Sequence, residues 1–168
     1  MRKATVSDIA LRRLTMRVAR QLRRAGLTIV TAESCTGGLL DKSLTDIAGS
    51  SDYFDRGWVT YSNAAKRSEL GVPATTLARY GAVSEAVALA MAAGALRRSK
   101  ARVAIAVTGI AGPTGATPGK PVGTVWIAWG LRRRSRIEAY TARFRFRGGR
   151  DSIRRQATQA ALDGLPAS

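Results

Sequence analysis

Ser34 stands in the string Ala32-Glu33-Ser34-Cys35-Thr36-Gly37-Gly38, where a short apolar run (27–32, LTIVTA) gives way to a polar, glycine-containing turn and then to a helical pattern. A strand that feeds a serine into such a turn exposes its hydroxyl and aims the N–H groups of the helix start, near Thr36 to Gly38, at the oxyanion that would form where that hydroxyl attacks. The same donors would also hold a phosphate. Gly37 and Gly38 let a ligand approach the backbone. A plain N-cap made by Ser34 or Thr36 accounts for the turn equally well. The local residues therefore leave two readings open, a nucleophile and a cap.

A nucleophilic serine needs a base, and the chain contains no histidine. That excludes Ser-His and Cys-His pairs and any histidine-containing metal site. The single cysteine, Cys35, excludes a cysteine-based zinc site, so no metal is expected. A Ser-Lys arrangement is the natural substitute, since burial lowers a lysine's pKa toward neutrality. The lysines are Lys3, Lys42, Lys66, Lys100 and Lys120. Lys66 follows the WVTY run (58–61) and lies close in sequence to Tyr61, so Tyr61 and Lys66 would form a proton relay beside Ser34. The alternative is that Lys66 is a surface residue of a polar helix. Cys35 reads as a small buried hydrophobe, and Glu33 as an orienting group or a substrate contact.

A second polar segment, 109–121, holds four glycines and three prolines and must be a loop. It follows the apolar run RVAIAVT (102–108), and so lies where ligands bind in α/β folds. It fits neither a Walker A loop, because Pro121 follows Lys120, nor a dinucleotide fingerprint. Thr108, Gly109, Ile110, Ala111 and Gly112 are its candidate ligand contacts, as a backbone cradle for a phosphate or ribose.

The remaining patterns are the elements that must carry these residues. An amphipathic helix is expected over 5–25, with Ser7 or Asp8 as its cap, Leu11, Leu14, Val18 and Leu22 on one face, and Gly26 as its stop. Further helices are expected over about 36–48, 63–70 (capped by Ser62), 84–98 (capped by Ser84) and 150–165, with a short turn opening near Thr75 or Thr76. Strands are expected at 27–32, 58–61 and 102–108, followed by a hairpin of 122–129 and 137–146. In its second strand Tyr140, Ala142, Phe144 and Phe146 alternate with polar residues, which predicts one buried and one wet face. The order predicts one α/β domain over 1–168, a three-layer α/β/α sandwich with a mixed, mostly parallel sheet.

At 168 residues the chain can bury a core without disulfides. It has no apolar run long enough to span a membrane and no apolar stretch after its basic start, so a cytoplasmic protein with no membrane association is expected. The formal charge is +17, concentrated in arginine clusters toward both ends of the sequence. A nucleic-acid surface is one reading, and solvated helix and strand faces another; no nucleic-acid-binding motif accompanies the charge, so any such binding would be non-specific.

The stretches TAESCTGGLL (31–40), GWVTYSNAAKRSELGV (57–72), YGAVSEAVALAMAAGA (80–95), AVTGIAGPTGATPGKPVGTVWIAW (106–129) and FRGGRDSIRRQATQAAL (146–162) together resemble the CinA C-terminal domain, or nicotinamide-nucleotide amidase, family. The resemblance covers most of the chain, in order. It implies Ser34 as nucleophile, Tyr61 and Lys66 as its catalytic partners, and hydrolysis of the carboxamide of nicotinamide mononucleotide without a metal or other cofactor. It also implies a homodimer or higher homo-oligomer, in the form that lacks the additional N-terminal domain of longer members. Arg150, with the 109–112 loop, is a candidate for the substrate's phosphate. A non-catalytic basic or nucleotide-binding protein linked to DNA uptake or repair is the alternative. The chain departs from the family pattern at Gly115-Ala116, where the family has Gly-Gly, and at Tyr80, where it has histidine.

Overall fold

A computed structural model describes residues 6–166. Five strands form one sheet in the order β2-β1-β3-β4-β5: β1 (Ile29–Glu33), β2 (Phe54–Val59), β3 (Val103–Gly109), β4 (Thr124–Arg133) and β5 (Arg136–Arg145). β1 runs parallel to both β2 and β3, while β4 and β5 complete the sheet as an antiparallel meander. Parallel and antiparallel pairings are thus equal in number, where a mostly parallel sheet is expected from the sequence. The antiparallel pairing of β4 with β3 accounts for the difference, since it adds a second antiparallel pair to the one that the expected hairpin supplies.

Helices cover both faces, giving the expected three layers. α1 (Asp8–Ala25), α2 (Leu39–Thr45) and α6 (Arg150–Asp163) pack on the side that receives Ile29, Ile105, Val107, Val125 and Ile127. α3 (Asn63–Leu70), α4 (Ala74–Tyr80) and α5 (Glu85–Arg97) lie on the other. There the sheet presents Ala32, Ala104, Ala106 and Ala128, and α5 answers with Ala88, Ala92 and Ala95. Small residues on both surfaces bring helix and sheet close together. Gly94 extends this closeness to α3, since a Cβ there would overlap the carbonyl oxygen of Leu70.

Several boundaries differ from the sequence expectation for identifiable reasons. α1 begins at Asp8 behind the Ser7 cap, whose side chain accepts from the Ala10 N–H at 3.1 Å; Thr5, the expected start, lies outside the described residues. α2 spans Leu39–Thr45 rather than 36–48, because Gly37 and Gly38 take φ values of +58° and +95° and hold the preceding segment as a turn. β2 lies earlier than expected and follows a one-turn 3₁₀ segment, Ser50–Asp52. α4 is a true helix where only a turn is expected, anchored by buried Leu77. On β5, Tyr140 is 41% exposed, because this is an edge strand; its ring stacks on Trp129 with centroids 5.2 Å apart and its hydroxyl donates to the Gly164 carbonyl.

Candidate active site

The chain leaves β1, β2 and β3 at the same edge of the sheet, because the three strands are parallel. Those exits are the Ser34 turn, the Tyr61–Ser62 turn that opens α3, and the 110–123 loop. β5 points the same way after two antiparallel steps and delivers the start of α6 to this edge. Four segments far apart in sequence thus converge at the carboxyl ends of the parallel strands, the usual ligand position in such folds.

Ser34 is held by its backbone, whose N–H donates to the Val107 carbonyl at 2.9 Å, and its residue is 8% exposed. Lys66 comes from α3, whose cap Ser62 accepts from the Ala65 N–H at 3.0 Å. That cap sets the helix so that Lys66 faces inward, where it is 1% exposed. Its Nζ lies 3.0 Å from Ser34 Oγ, 2.8 Å from the Thr60 carbonyl oxygen and 3.5 Å from that of Tyr61. No carboxylate pairs with it among the described residues. Burial lowers the amine's pKa below the ordinary lysine value, and Cys35 opposes this only secondarily. An amine that releases its proton more readily is more available as a base, and the Lys66 amine stands at hydrogen-bond distance from a hydroxyl.

The Ser34 turn owes its shape to Glu33. Its carboxylate is fully buried and accepts from three backbone N–H groups: Gly38 at 3.0 Å, Leu40 at 3.2 Å and Asp41 at 2.8 Å. It therefore acts from inside the turn, with no surface to offer a substrate, and caps the start of α2 as an N-terminal carboxylate does. The Gly37 N–H donates to the Ser34 carbonyl, so Gly37 and Gly38 both have their donors engaged. Among the described residues, the N–H groups of Cys35 and Thr36 have no backbone acceptor. The Cys35 thiol is buried and pushed up to about 12 by that burial, which makes it a packing group rather than a second nucleophile.

Tyr61 does not stand between Lys66 and Ser34. It is 57% exposed, and its hydroxyl oxygen accepts from Arg150 Nη2 at 2.6 Å. The direct approach of Lys66 to Ser34 leaves no place for a phenol relay between them. Arg150 Nη1 donates to the Gly112 carbonyl at 2.7 Å. In the 109–112 segment the Ile110 N–H is taken by Thr124, while those of Ala111 and Gly112 have no backbone acceptor among the described residues. Thr108 uses its hydroxyl on the Ala82 carbonyl at 2.8 Å.

Two further residues complete the surroundings. Arg154, one turn after Arg150 on α6, donates to the Thr36 carbonyl at 2.8 Å and so braces the outside of the Ser34 turn. Its i, i+4 spacing from Arg150 is the signal that could have found it. Asp41 lies under the turn, where it accepts from the Thr31 hydroxyl, and Gly57 of β2 makes room for its carboxylate. Burial, and then the nearby Glu33 charge, raise its pKa to about 7.

The folded state holds a proton on Asp41 that the unfolded chain gives up near its ordinary value of 3.8. Its stabilising contribution is therefore full in acid, falls as the pH rises from about 4 to about 7, and is level above that. Asp41→Asn should accordingly lose less Tm between pH 5 and pH 8 than the parent chain. Equal losses in the two proteins would show that Asp41 is not protonated in the fold.

The CinA C-terminal domain model matches residues 11–168. The chain belongs to this family. A curated relative from Escherichia coli K12, named nicotinamide-nucleotide amidohydrolase PncC, is 51% identical over 160 residues, covering 95% of each chain. A protein of the same name from Pseudomonas putida is 49% identical, covering 90% of this chain and 92% of that one. Among solved structures, a CinA superfamily protein from Klebsiella pneumoniae superposes with a TM-score of 0.85 at 45% identity, over 91% of this chain and 93% of the other. One from Escherichia coli gives a TM-score of 0.87 at 38% identity, over 95% and 91%. The α/β fold with a mixed five-stranded sheet described above is thus shared with CinA superfamily proteins.

Proposed function

We propose that this CinA-family chain is a nicotinamide-nucleotide amidase, which hydrolyses the carboxamide of nicotinamide mononucleotide to nicotinate mononucleotide and ammonia in pyridine-nucleotide salvage. The observation that carries the reading is the buried Lys66 amine 3.0 Å from Ser34 Oγ. The names of the relatives at about half identity support the substrate.

In this mechanism neutral Lys66 takes the Ser34 proton as Oγ attacks the carboxamide carbon. The oxyanion forms against the N–H groups of Cys35 and Thr36. The donor from the residue after the nucleophile is the one that acyl-transfer sites on strand-to-helix turns commonly use. This moves the oxyanion site one step earlier than the Thr36–Gly38 stretch expected from the sequence, because Gly37 and Gly38 have their N–H groups engaged. The C–N bond breaks as the nitrogen is protonated by the Lys66–Tyr61 pair, and water then cleaves the acyl-serine. The free N–H groups of Ala111 and Gly112, on the segment that begins with Thr108, Gly109 and Ile110, together with the unused donors of Arg150, are set to receive the substrate's phosphate.

The test is ammonia release with nicotinamide mononucleotide as substrate, with nicotinate mononucleotide identified as the other product. Purified, folded protein that releases no ammonia would overturn the reading.

A further inference from the structure

Arg150 joins the 109–112 segment to Tyr61. It occupies the first position of α6, where one terminal nitrogen donates to the Gly112 carbonyl and the other to the Tyr61 hydroxyl, at 2.7 and 2.6 Å. Tyr61 in turn spans from the Lys66 amine, which its backbone carbonyl approaches at 3.5 Å, to this arginine.

The chemistry of the pair decides which way the phenol faces. A guanidinium has five N–H donors and no acceptor, and stays charged at any ordinary pH. Facing it, the Tyr61 oxygen can only accept, so the single phenol proton must point away from Arg150. Among the described residues no acceptor receives that proton. With the ring more than half exposed at the edge where the substrate binds, the proton is offered to the space the substrate would fill.

We propose that Arg150 is a positioning residue that fixes Tyr61 as a proton donor toward the substrate, so that Tyr61 protonates the departing nitrogen while Lys66 alone activates Ser34. The inference rests on the amidase reading above. The protons balance over the cycle. Lys66 takes the proton of Ser34, and Tyr61 gives its own to the amide nitrogen as the C–N bond breaks and ammonia leaves. The resulting phenolate lies against the Arg150 cation. The hydrolytic water then gives a proton to that phenolate as its oxygen attacks the acyl carbon. Ser34 recovers its proton from the Lys66 ammonium as the ester bond breaks. Every group ends in its starting state.

The test is a double-mutant cycle on kcat and KM for nicotinamide mononucleotide, using Arg150→Met, Tyr61→Phe and the double variant. Tyr61→Phe should lower kcat by about 10²-fold, the usual size of a general-acid contribution. Arg150→Met should lower kcat by a similar factor, besides raising KM through its lost phosphate donors, yet add little to the kcat loss once Tyr61 is already phenylalanine. Arg150→Lys, which keeps a donor-only cation, should recover much of the loss. Losses that multiply in the double variant, or an Arg150→Met that raises KM at unchanged kcat, would overturn the proposal; the second result would make Arg150 a plain phosphate ligand. Side-chain guanidinium resonances of Arg150, followed by nuclear magnetic resonance with and without Tyr61→Phe, read the contact independently of turnover. A slowly exchanging Arg150 N–H that becomes fast in Tyr61→Phe supports the link, and an Arg150 signal indifferent to Tyr61 overturns it. Because that readout needs no activity, an inactive parent protein would sink the amidase reading without deciding the Arg150–Tyr61 contact.

Discussion

Lys66→Met is expected to lower amide hydrolysis by on the order of 10³-fold or more, the scale seen when the base of a coupled nucleophile is removed. Lys66→Arg should do no better, because a guanidinium cannot give up its proton at working pH. The pH profile carries the finer prediction. Burial holds the Lys66 amine below its ordinary value, so kcat/KM of the parent chain should rise with pH as the amine loses its proton and level off before the usual lysine range. Stability should follow the same group. Between the lowered folded value and the ordinary unfolded one, the unfolded chain binds the proton that the folded chain has released. Stability from Lys66 therefore rises with pH across that window, and Lys66→Met should lack the rise. A methionine variant that kept a tenth of the parent activity would remove Lys66 from the mechanism.

Ser34→Ala is expected to lower ammonia release by about 10⁴-fold or more, as loss of a nucleophile does elsewhere. The fold should survive, because the turn is shaped by Glu33 and by the Ser34 backbone rather than by its hydroxyl, and Lys66 keeps the Thr60 carbonyl as acceptor. Hydroxylamine gives a direct check on the covalent step. The parent chain should divert acyl-serine to the hydroxamate, and the alanine variant should form none. Undiminished ammonia release from the alanine variant would end the case for Ser34.

The two halves of this site were legible to different degrees. The Ser34–Lys66 pair could be reasoned toward because a chain without histidine offers few bases, although the two residues stand 32 apart and no spacing rule connects them. The direct contact, and the exclusion of Tyr61 from it, depend on how α3 is set against β1, which periodicity does not report. Arg154 and Asp41 were missed because their roles arise only when α6 and β2 close around the Ser34 turn. Among the elements, the buried strands β1 and β3 showed themselves as apolar runs. β2 was placed late because as an edge strand it is mostly exposed, and Phe54-Asp55-Arg56-Gly57 carries no alternating apolar signal. α4 hid behind two threonines and a proline, with Leu77 as its only buried residue.

The missing side chain at Gly94 has a consequence for how the site keeps its shape over time. With the backbone of α3 resting on α5 at Leu70, the helix that carries the lysine is fastened to a helix whose inner face is buried against the sheet. Tyr61 rides on an exposed turn just outside it. Ser34 and Lys66 are therefore mounted on a stiff frame, and Tyr61 on a yielding one. On warming, alignment should fail first at the phenol, well before the chain unfolds.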